Sequence, residues 1–144
     1  MSIDPQVLHD STEEIWSSVL GIGIAPAEPA GELESTVNCE IDIVANPDVR
    51  VAVVMPEPLA RIAAAAMFGM EPEELPESDV KDAVGEIGNM ISGSVKAALD
   101  EPEEMSVPRV GYDPILPQGQ NEILSLLWES EGHPFAVKVY RNQS

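Results

Sequence analysis

The chain has 144 residues, enough for one ordinary domain with a real core. Its 7 basic and 26 acidic residues give a net charge of −19, which argues against nucleic acid or an anionic membrane surface as a partner. The single cysteine, Cys39, excludes an internal disulfide and suits a reducing compartment.

Met1 to Gly21 has no basic start and mixes charged with apolar residues, so it does not resemble a signal peptide, and a cytoplasmic location is expected. Asp4-Pro5 reads as an N-cap followed by proline at the first helical position. Leu8, Thr12, Ile15 and Val19 then mark one face of a helix that ends at Gly21. Pro26, Pro29 and Gly31 interrupt further helix. Val37, Cys39, Ile41 and Ile43 alternate with Asn38, Glu40 and Asp42 as a half-buried strand does. Asn46-Pro47-Asp48 turns the chain into a second strand at Val49, Val51 and Val53, which Pro56 and Pro58 close. Leu59 to Phe68 reads as an alanine-rich helix with Gly69 at its end, and Pro72 and Pro76 stiffen the connector that follows. The apolar run Ile62 to Met70 is far shorter than the roughly 20 residues a membrane helix needs.

Ser78, with Glu77 and Asp79 beside it, supplies a cap and an acidic first turn for a long helix running to about Leu99. Pro102 and the acidic run Glu101 to Glu104 break that pattern. Strand-like segments follow at Met105 to Tyr112, Ile123 to Glu129 and Phe135 to Arg141, with Glu131-Gly132-His133-Pro134 turning between the last two. The order αββααβββ predicts an α+β domain over residues 1–144, an antiparallel sheet packed on one face against long helices.

Within the long helix, Val80, Val84, Ile87, Ile91, Val95 and Ala98 or Leu99 recur every three or four residues as a core face. At about 100° per residue, Asp82, Glu86, Asn89 and Gly93 fall in one stripe on the opposite side, facing out of the core. Gly85, Gly88 and Gly93 each cost roughly 1 kcal/mol relative to alanine, so something needs to approach this backbone closely. Either the sheet or a partner's loops would meet the requirement. Met90 and Ile91 belong to the core.

Residue types exclude several chemistries. His9, His133 and Cys39 are scattered and offer no metal site. Gly21-Ile-Gly23 lacks the third glycine and the strand-helix context of a dinucleotide fingerprint, and no glycine-rich loop ends in Lys-Ser or Lys-Thr. No serine sits in a Gly-x-Ser-x-Gly elbow. The stripe itself admits three readings: a solvated face, an acid pair for proton transfer, or an amide that holds a water in attack geometry.

The stretch Asp82-Ala-Val-Gly-Glu86-Ile-Gly-Asn89-Met-Ile-Ser-Gly93 resembles the signature of the CheC, CheX and FliY family of chemotaxis phosphatases: Asp or Ser, three residues, Glu, two residues, Asn. Met67-Phe-Gly-Met, leading through an acidic, proline-containing connector into that stretch, is similar to CheX-like members in particular, and the likeness covers Leu59 to Leu99. The other helix carries Ala63 to Ala66 and no Glu-x-x-Asn, which implies one site per chain, as in CheX.

The resemblance implies a phosphatase acting on the aspartyl phosphate of a CheY-like response regulator. By position, Asn89 would orient the attacking water and Glu86 would contact the regulator's active-site lysine. Asp82 would contact the rim of the regulator or play a local structural role, and Gly85 and Gly93 would let its loops approach. No cofactor would be held by this chain, the magnesium ion being the regulator's own. The alternative is a module that binds a response regulator, or another chemotaxis or flagellar protein, without turnover. CheX-like relatives form dimers, so Val49 to Val54 or Phe135 to Tyr140 would extend the sheet across a two-fold axis.

Overall fold

The computed structural model describes residues 3–27, 36–99, 101–112 and 120–142, so Pro29 and Gly31 lie outside the described residues. The Asp4 side chain caps α1 (Pro5–Ile15), accepting a hydrogen bond from the Gln6 N–H at 2.9 Å. The helix then widens into a π turn, Trp16–Leu20, which closes on Gly21 at φ 70°. That extra winding alters the expected face. Leu8 and Thr12 are buried, but Trp16 and Leu20 reach the core and Val19 is exposed.

β1 (Ala25–Pro26) is too short to leave a sequence signal. β2 (Thr36–Ile43) and β3 (Val49–Pro56) form the expected hairpin, in register from Val37↔Met55 to Ile43↔Val49. α2 (Glu57–Phe68) ends at Gly69, whose φ of 68° favours a residue without a side chain. α3 (Glu77–Ala97) starts earlier than Ser78 would cap it. Pro76 is the N-cap residue, its carbonyl accepting from Asp79 and Val80, and Ser78 sits inside the first turn with Glu77 and Asp79. Only Arg109–Gly111 of the Met105–Tyr112 segment forms a strand, β4, with Met105 making a separate bridge to Ile43.

β5 (Gln120–Ser130) and β6 (His133–Asn142) are joined by Glu131 and Gly132 alone, at φ 51° and 77°. Positive φ at both central residues matches the twist of the flanking strands, so His133 and Pro134 already belong to β6. Among the described residues the order is αβββααβββ, one strand more than the sequence suggests.

All pairings are antiparallel, in the order β1-β5-β6-β3-β2-β4. β3 and β6 each lie between two strands, so neither Val49–Val54 nor Phe135–Tyr140 has a free edge for pairing across a two-fold axis. Among the described residues the edges are β1 and β4, two and three residues long, and short edges suppress uncontrolled pairing.

The three helices share one face of the sheet. Val37, Cys39, Ile41 and Ile43 of β2, Val49, Val51, Val53 and Met55 of β3, and Phe135, Val137 and Val139 of β6 join Leu59, Ala63, Val84, Ile87, Ile91 and Val95 in one core. Trp16 stacks on Phe135 with ring centroids 4.3 Å apart, and Trp128 lies 5.3 Å from the same ring. Both indoles also find acceptors: Trp16 Nε1 donates to Ser130 Oγ at 3.0 Å, and Trp128 Nε1 to His9 Nδ1 at 2.7 Å. The opposite face of the sheet carries Glu40, Asp42 and Arg50, joined by Arg109 of β4.

Candidate functional site

α3 lies on β2 closely enough that a Cβ built on Gly88 would sit 2.5 Å from Cys39 Sγ. Only glycine permits that approach. Val80, Val84, Ile87, Ile91 and Val95 face the sheet and are buried, which turns Asp82, Glu86 and Asn89 away from it. Asp82 and Glu86 are exposed, and Asn89 is half-buried.

These side chains border a groove of about 740 Å³, whose first wall is Lys81, Asp82, Gly85, Glu86 and Asn89 of α3. The second wall is Met105, Ser106, Val107, Pro108 and Val110, the segment that enters β4. At Gly85 a Cβ would lie 3.4 Å from both Pro108 Cβ and Val110 Cγ2, an ordinary contact distance, so the two walls lie close together here. A Cβ on Gly93 would meet nothing within 4 Å, so packing gives no reason for glycine there.

The second wall is anchored to β2. Ser106 donates its N–H to the Asp42 carbonyl at 2.8 Å, while its Oγ accepts from the Asp42 N–H at 2.9 Å. Arg109 donates to the Asp42 carboxylate at 3.1 Å, and Glu103 and Glu104 bond the Val44 backbone at 2.9 and 2.8 Å. Burial alone would raise the Asp42 pKa. The hydrogen bond and charge of Arg50, with Arg109 beside it, outweigh that effect and hold the carboxyl below its usual range.

Near the N-terminal end of α3, Lys81 Nζ sits 5.2 Å from the Tyr112 ring centroid and 3.9 Å from Glu77 Oε1. Burial and the nearby Glu77 raise the pKa of Tyr112, so its hydroxyl stays protonated near neutral pH and is no base. The groove therefore presents two carboxylates, a carboxamide and one ammonium group. His9 is occupied by Trp128, and His133 lies in the β5–β6 hairpin. Among the described residues, no three His, Cys, Asp or Glu side chains are grouped so as to hold a metal ion, and no helix is long and apolar enough to cross a membrane. Such a constellation suits recognition of a cationic group and orientation of a water more than covalent catalysis.

Spacing along one helix brings Asp82, Gly85, Glu86 and Asn89 together on the groove, and leaves Gly93 beyond it. Lys81 and the wall from Met105 to Val110 escape sequence reasoning. Pro108 is their one local cue, and it says nothing of the partner across the groove.

The sequence matches the family model described as chemotaxis phosphatase CheX over residues 37–114. No curated protein matches it. Among solved structures, CheX from Vibrio vulnificus superposes with a TM-score of 0.79 at 20% identity, covering 96% of this chain and 95% of that one. A chemotaxis protein CheX from Desulfovibrio desulfuricans gives 0.75 at 23% identity, covering 95% and 97%. The CheX–CheY–BeF3–Mg complex from Borrelia burgdorferi gives 0.71 at 16% identity, covering 96% and 97%. The antiparallel sheet and its helical layer are thus shared with these proteins. The family match takes in β2, β3, α2, α3 and β4, more than half of the chain and both walls of the groove, and the chain belongs to the CheX family of chemotaxis phosphatases.

Proposed function

We propose that this chain accelerates hydrolysis of the aspartyl phosphate of a CheY-like response regulator, with Asn89 as the catalytic residue and Glu86 as the docking residue. One observation carries the reading: in a chain of this family, Asp82, Glu86 and Asn89 line one surface groove of about 740 Å³. The Borrelia relative bound to CheY with BeF3 and magnesium supplies the partner class.

In the proposed step the oxygen of a water attacks phosphorus, and the bond from phosphorus to the aspartate oxygen breaks. Inorganic phosphate leaves with both of the water's protons, as dihydrogen phosphate, and the regulator recovers a free carboxylate. A carboxylate leaves readily without protonation, so no general acid is required of this chain. The Asn89 amide is neutral and cannot take the water's proton, but it donates and accepts at once and so fixes the water in line. Glu86 makes a charge-assisted bond to the regulator's active-site lysine and sets the helix in register. Asp82, one turn earlier, meets the rim, and the open backbone at Gly93 leaves room for a regulator loop. Magnesium enters with the regulator, and this chain needs no cofactor of its own.

The test is phosphate release from response regulators of the same cell, charged with a small phosphodonor. Wild-type protein should accelerate release, and Asn89→Ala should lower kcat by about 10²-fold while binding is largely retained. Absence of acceleration across the cell's regulators would remove the enzymatic reading and leave a binding module.

A further inference from the structure

Val107 is 79% exposed, far more than any other large apolar side chain among the described residues, which reach at most 47%. It does not sit on a loose loop. Ser106 before it makes two hydrogen bonds to Asp42, and its hydroxyl donates to the Val107 carbonyl at 3.1 Å. Pro108 after it restricts Val107 to extended backbone, and branching at Cβ limits its rotamers. An apolar side chain on an anchored backbone is thus held out to solvent, lining the same groove as Glu86 and Asn89.

We propose that Val107 is a specificity-determining anchor that docks into an apolar depression on the response regulator, beside its phosphorylation site. The proposal rests on the reading of the groove as the regulator's docking site, and adds the second wall to it. Ordering of Val107 before binding reduces the entropy lost on association, which is what distinguishes an anchor from an incidental exposed residue. Charge selects the occupant. A second copy of this chain would bring its own Asp82 and Glu86 and another −19 of net charge toward the same acids, whereas a regulator offers them a lysine.

The deciding experiment measures binding of the regulator, charged with beryllofluoride so that no turnover is needed, to wild-type protein, Val107→Ser and Val107→Ile. Val107→Ser should weaken Kd about tenfold and Val107→Ile should bind within about twofold of wild type. Thermal denaturation of both variants should match wild type, since the side chain contributes little to the core. Equal Kd for Val107→Ser and wild type overturns the proposal even when Asn89-dependent hydrolysis is present. Binding without hydrolysis in the wild type defeats the phosphatase reading alone. A wild-type dimer that Val107→Ser dissociates, seen by sedimentation, assigns the anchor to a second copy and overturns the regulator as occupant.

Discussion

Cys39 illustrates how position sets the chemistry of a residue. Its place in the β2 alternation predicts an inward side chain, and the thiol is buried under α3. Burial pushes its pKa up to about 12, and the charge of Arg109 offsets only part of that rise. A thiol is nucleophilic only as thiolate, so the native protein should resist alkylation at pH 8 and react promptly once unfolded in denaturant. Labelling of the folded protein at the rate of a free thiol would contradict this burial. Asp82, Glu86 and Asn89 are the opposite case, because spacing along one helix was enough to put all three on the same open face. Lys81 was not legible, since its neighbour Tyr112 is 31 residues away in the chain and only folding brings the two together.

Among the elements, α3 is the one whose composition and packing explain each other. Its glycines lower helix propensity, and the sequence leaves open whether sheet or partner requires them. At Gly88 the sheet does, through the Sγ of Cys39. Gly88→Ala should therefore destabilise the protein by about 1–3 kcal/mol in chemical denaturation, despite alanine's better propensity. Adding Cys39→Ala should recover part of that loss, because the two sites share one contact. If Gly88→Ala instead raises stability by the roughly 1 kcal/mol that propensity alone predicts, α3 does not lie this close to β2. In α1, by contrast, heptad-like spacing pointed to Val19, and the π turn brought Leu20 inward instead. A change in winding leaves no periodic trace in five residues.

Across the molecule, the network of Glu40, Asp42, Arg50 and Arg109 ties β3, β2 and β4 together, and with them the second wall of the groove. Asp42 has a folded-state pKa below its unfolded value. Its stabilising contribution is complete above the unfolded value of about 3.9 and is lost as pH falls through the lower folded one. Asp42→Asn should accordingly lower Tm at pH 6 by an amount equivalent to at most about 1 kcal/mol, because the pair is partly exposed and screened. The gap from wild type should narrow as pH drops below about 4. A gap independent of pH would mean that the carboxylate charge contributes nothing to stability.

The sequence by itself determined the long elements, the inward faces of β2, β3 and α3 and the polar stripe of α3, because alternation at period 2 and recurrence near 3.6 are local consequences of burial. It also carried the family, through Asp82, Glu86 and Asn89 with their flanks. Only the tertiary structure decided that β3 and β6 are central strands, that Cys39 dictates Gly88, and that Val107 and Asn89 line one groove. Each of those depends on pairing between distant segments. The free energy of such pairings is distributed over whole interfaces, and no local pattern records it.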